Sequence, residues 1–99
     1  MRMLLKFQVP VETGNRTVTD GTLQKVTQST MDRLKPEAAY FFAQDGLRGG
    51  FMVFDMSDVW QIPVIAEPLL MGLNAKVEFV SVMNAEDLAK ALAHVAAAG

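Results

Sequence analysis

The sequence predicts an α+β domain in which one antiparallel sheet carries helices on a single face. Three observations lead there. The first segment alternates apolar and polar residues with period two. The dipeptide Asp45-Gly46 stands between two strand-like runs, and a stretch of helical period separates the first strand from that hairpin.

Met3, Leu5, Phe7, Val9 and Val11 alternate with Arg2, Lys6, Gln8 and Pro10, which makes a first strand with two different faces. The segment ETGNRTVTDG that follows reads as a polar loop. Leu23, Val26, Thr30, Met31 and Leu34 then recur at the spacing of one helix face. Thr19 or Asp20 is the expected N-cap of that helix, and Pro36 its stop.

The hairpin AAYFFAQDGLRGGFMVFDM turns on Asp45-Gly46, the favoured type I′ pair. With that turn, Phe42 lies opposite Gly49 and Phe41 opposite Gly50. Glycine inside a strand costs backbone entropy, so each is expected to be covered by the facing ring. The alternative is that the glycines thin the sheet to admit a ligand. Beyond Ser57, with Asp58 as its expected cap, Pro63 and Pro68 predict a helix in two pieces, ended by Gly72. AKVEFVSVM reads as the fourth strand. Asn84 and Asp87 form a capping-box-like pair for a last helix, with Leu88, Leu92 and Val95 as its buried stripe and a frayed alanine tail.

The order is therefore β-α-β-β-α-β-α, and its first six elements are the ferredoxin-like pattern. One face of the hairpin carries Tyr40, Phe42, Phe51 and Val53; the other carries Phe41, Met52, Phe54 and Met56. Helices cover only one side of such a sheet. The second apolar face predicts an interface, and two sheets face to face make a homodimer.

Composition agrees. Apolar residues are 51% and charged residues 20%, more apolar surface than a domain of 99 residues easily hides. The net charge of −2 and the lack of a basic stripe argue against a nucleic-acid or anionic-membrane partner. The absence of cysteine removes disulfides and thiolate chemistry and is compatible with a cytoplasmic setting. No apolar run approaches the roughly 18 residues of a membrane span. The N-terminus is not expected to be a signal peptide, and residue 1 is expected to start the fold.

The strings LKPEAAYF and FMVFDMSDVWQIPVIAEPLLMGLNAKVEFVSVMNAEDLAKA resemble short bacterial proteins of the dimeric α/β-barrel superfamily. A looser likeness runs to the muconolactone isomerases. The resemblance covers nearly the whole chain and implies the fold and a dimer. It also implies, as an alternative to plain ligand binding, a cofactor-independent isomerase or monooxygenase. No HxGH-type motif is present, and GLRGG lacks the Lys-Ser/Thr pair of a phosphate-binding loop.

The candidate ligand-binding residues are Lys6, Tyr40, Arg48, Trp60 and Glu67; no catalytic residue, metal or cofactor is expected. Lys6, with Gln8 and Arg48, would place polar groups in an apolar dimer cavity; otherwise Lys6 reaches solvent or pairs with Glu78. Glu67, where the helix is expected to break, is a candidate base or the cap of the restarted turn. Tyr40 and Trp60 line a pocket or belong to the core. His94, the one histidine, reads as a solvated side chain near a helix C-terminus.

Overall fold

A computed structural model describes all of residues 1–99. The elements are β1 (Arg2–Val9), α1 (Val11–Asp20), α2 (Thr22–Leu34), β2 (Ala38–Gln44), β3 (Leu47–Asp55), α3 (Gln61–Leu73), β4 (Lys76–Ser81) and α4 (Ala85–Ala98). The four strands form one antiparallel sheet in the order β2-β3-β1-β4. This is an α+β fold with the strand order expected of the ferredoxin-like pattern.

The two faces of the sheet divide by residue parity. Met3, Leu5, Phe7 and Val9 of β1 and Met52 and Phe54 of β3 are buried, and Ile65, Leu69 and Leu73 of α3 pack on them. Leu23, Val26, Met31 and Leu34 of α2, partly buried, close the same core, so the predicted helical stripe is the inward-facing one. On the opposite face, one cross-strand row runs Ala38, Val53, Leu4, Val80. The next rows run Tyr40, Phe51, Lys6, Glu78 and then Phe42, Gly49, Gln8, Lys76. No helix of the chain covers these rows, and Tyr40 is 62% exposed.

The expected loop after β1 is instead the helix α1. Its buried residues are Thr13, Gly14 and Thr17, so it has an inward face without an apolar stripe. Hydrophobic periodicity cannot register such a face. The Thr17 hydroxyl is satisfied within the helix, donating to Thr13 O at 2.7 Å. Gly21, at φ 85°, breaks α1 from α2 and is itself the N-cap of the second helix, so neither Thr19 nor Asp20 holds that position, although the Asp20 carboxylate accepts from Thr22 N at 2.9 Å.

α3 is one continuous helix, not two pieces. Pro63 sits in its first turn, where an N–H has no partner in any case, and Pro68 is interior. Proline at 68 deprives the Val64 carbonyl of its helical donor. Arg33 of α2 supplies the replacement, with Nη1 donating to Val64 O at 3.2 Å. The helix passes Gly72 and closes at Asn74, in the left-handed region at φ 50°. Asp58 does not cap it. The Gln61 side chain accepts from Ser57 N, Ser57 Oγ and Asp58 N instead.

The Asp45-Gly46 turn has φ 57° and 76°, the positive values of the type I′ hairpin, and Phe41 and Phe42 lie opposite Gly50 and Gly49 as expected. A ring atom is among the nearest neighbours of the added Cβ at Gly50 and not at Gly49. A Cβ on Gly50 would stand 2.8 Å from Phe41 Cδ1 and 2.6 Å from Tyr40 O. A Cβ on Gly49 would first meet the β1 backbone at Phe7 O. Both Cβ positions are taken by protein atoms, although Gly49 itself borders the largest cavity.

The Asn84–Asp87 capping box forms in full. The helix it starts runs through Ala98, but its stripe is not buried. Leu88, Leu92 and Val95 are exposed, as is the rest of α4. The helix is tied to the domain near its first turn, where Arg2 Nη1 stands 3.7 Å from Asp87 Oδ2. With α4 projecting, the molecule measures 56 × 27 × 18 Å. No helix is long and apolar enough to cross a membrane.

Candidate functional site

The largest cavity, about 500 Å³, lies on the helix side of the sheet, between α1 and α2 and the outer hairpin β2–β3. It exists because the helices cover β1 and β3 but stop short of β2. Phe41, on the core face of that edge strand, therefore remains 50% exposed. Its ring meets Phe7 edge-on, with centroids 6.4 Å apart and planes at 66°. Val18 of α1 and Leu23 and Thr27 of α2 form the facing wall. Gln24 of α2 also lines it, and the Thr27 hydroxyl donates to Leu23 O at 2.8 Å, so the wall is apolar apart from the Gln24 amide.

Arg48 is the one charged residue among the lining side chains. It stands opposite buried Val9, on the helix face of β3, and not beside Lys6 on the open face as expected. The parity of β3 carries this information: Arg48, Gly50, Met52 and Phe54 share one side. α1 positions the side chain. Nη1 donates to Asn15 Oδ1 at 3.1 Å, and a Cβ at Gly14 would stand 2.5 Å from Nη1 and 3.3 Å from Cδ. A glycine in a helix interior costs about 1 kcal/mol against alanine. Here it leaves the channel through which the arginine passes. Neither Gly14 nor Asn15 stands out in the sequence, because the segment carrying them reads as a loop.

The other expected site residues lie elsewhere. Lys6 and Tyr40 are on the open sheet face, Tyr40 against Phe51 at a centroid distance of 5.6 Å. Lys6 faces Glu78 in register, but Glu78 pairs with Lys76 at 3.7 Å. Trp60 edges a separate groove of about 150 Å³ with Arg33, Leu34 and Phe54. Glu67 lies in the unbroken α3 and is exposed, so it caps no restarted turn. Only Arg48 of the five reaches the main cavity.

Electrostatic perturbation in this protein is structural. The Met1 amine holds the Asp55 carboxyl below the ordinary carboxylate range, by a hydrogen bond of 2.8 Å and by its charge. Thr22 lowers Asp20 through hydrogen bonds from its hydroxyl and backbone N–H. Arg2 is raised by its hydrogen bond and charge contact with Glu37. All three pairings tie elements together, and none lines the cavity. No group of three or more His, Cys, Asp or Glu side chains gathers at one point. His94 is exposed, with Nδ1 2.9 Å from Lys90 O.

A chain of this fold and site is an α+β domain with an edge cavity and an uncovered sheet face. Neither family models nor curated proteins provide a match to it.

Proposed function

We propose that the chain acts as a homodimeric module that binds a small, partly apolar ligand in the cavity beside the sheet. The observation that carries the reading is the pairing of that cavity with an uncovered sheet face. One row of the face, Ala38–Val53–Leu4–Val80, is apolar across all four strands, and Tyr40, Phe42 and Phe51 extend it. Four strands of about six residues present a footprint of roughly 400 Å². A stable interface starts near roughly 600 Å² per partner. The apolar stripe of α4, a helix about 21 Å long, supplies the difference if it lies along a second copy. The face therefore takes another protomer, with the sheets opposed and α4 packed at the rim.

A binding role is favoured over a cofactor-independent isomerase or monooxygenase by the lining. No Asp, Glu, His or Tyr faces the cavity, so acid–base chemistry has no resident group there. Size exclusion with light scattering tests the assembly. Wild type should run at twice 10.8 kDa, and Phe51→Glu, in the middle of the open face, should give a monomer. Wild type at 10.8 kDa at micromolar concentration rules out the dimer.

A further inference from the structure

We infer that the cavity takes an amphipathic monocarboxylate, its carboxylate on Arg48 and its apolar body along Phe7, Phe41, Val18 and Leu23. This rests on the ligand-binding reading and adds the chemical class. Arg48 has no acidic partner: the ion pairs of the chain join Met1 to Asp55, Arg2 to Glu37 and Asp87, and Lys76 to Glu78. Of the five guanidinium donors, Asn15 accepts one. The remaining donors keep the planar fork that fits a carboxylate with two parallel bonds.

The fork is also held before any ligand arrives. The side chain runs through the space left by Gly14 and is tethered at Nη1, so little rotamer freedom remains to be lost on binding. A cavity of about 500 Å³ with mainly apolar walls, one charged side chain and the polar Gln24 and Thr27 has the make-up of a small-molecule site. The charge sets the class. One guanidinium balances one negative charge, whereas a phosphate dianion would leave a charge uncompensated against aromatic walls. A neutral apolar ligand would bury the guanidinium without a partner, and a cation would be repelled. The chain as a whole carries −2, so attraction for an anion is local to Arg48.

The test titrates wild type with 3-phenylpropionate and octanoate, with their primary amides, and with phenyl phosphate, by calorimetry and by amide shifts in the NMR spectrum. Expected is an acid affinity about tenfold or more above that of the matching amide. The largest shifts should fall at Arg48, Phe41 and Leu23. In Arg48→Gln the acids should drop to the affinity of the amides, and Arg48→Lys should recover part of the gap. Equal binding of acid and amide, or an acid preference that survives Arg48→Gln, overturns the assignment while leaving a ligand-binding cavity. Tighter, Arg48-dependent binding of phenyl phosphate replaces carboxylate by phosphate ester and also overturns it. Absence of binding by every probe overturns the ligand-binding reading itself. Should Arg48→Gln fail to fold, the acid–amide comparison on wild type decides.

Discussion

Glycine has three different uses among the residues of this domain, each defined by what a methyl group would strike. At Gly14 the obstacle is the far end of Arg48, held there by its bond to Asn15, which an added methyl group would displace. Gly14→Ala should therefore leave stability unchanged or raise it by up to about 1 kcal/mol, while breaking the Arg48–Asn15 bond. A denaturant melt, together with the Arg48 side-chain NMR signal, checks both parts. At Gly50 the obstacles are the Phe41 ring and a backbone oxygen; at Gly49 they are backbone atoms of β1. Both alanine variants should lose about 1–3 kcal/mol. Phe41→Leu should recover part of the loss at Gly50 and none at Gly49, a coupling that a double-mutant melt resolves. Asp20 adds a pH-dependent contribution. Its folded pKa lies below the unfolded value of about 3.9, so the stabilisation is complete above that value. It is lost as pH falls through the folded pKa. Asp20→Ala should lower Tm at neutral pH and narrow the gap from wild type in acid.

At the scale of elements, α3 shows how a proline is tolerated inside a helix. The Val64 carbonyl, orphaned by Pro68, takes its hydrogen bond from Arg33 of the neighbouring helix. Arg33→Met should cost about 0.5 kcal/mol or more. The same change in a Pro68→Ala background should cost less, because the substituted residue then supplies the missing N–H. Additive melts of the two single variants and the double variant would remove this account. The α1–α2 break follows related logic. Gly21 takes a positive φ as the N-cap of α2, and Asp20 accepts from Thr22 N across it, so two short helices replace one long one.

For the whole molecule, α4 is the decisive element. A 14-residue helix with no buried side chain has little reason to stay folded alone, even with its capping box. If α4 packs on a second copy, Leu92→Glu should weaken the dimer and expose α4 amides to solvent exchange. Hydrogen exchange and sedimentation of wild type and variant measure both. Equal dimer strength and equal α4 protection in the two proteins would show that the helix makes no such contact.

Much of the fold could be read from residues alone, because its information is local. Alternation in β1, the Asp45-Gly46 turn and the Asn84–Asp87 box each involve residues within a few positions of one another. The same local rules placed Phe41 opposite Gly50 and divided the hairpin into two apolar faces. Where they misled, the deciding contact was distant in sequence. Pro68 sits in a helix where Arg33 supplies the missing donor, α1 is a helix whose inward face is threonine and glycine, and Leu88, Leu92 and Val95 find no surface within the chain. The cavity belongs to this second kind. Phe7, Leu23, Phe41 and Arg48 come from four elements, and Arg48 is aimed by a glycine on a fifth. Alternation and spacing determine which face a side chain occupies. Which atoms meet it there depends on how helices settle on the sheet, and only the packed structure decides that.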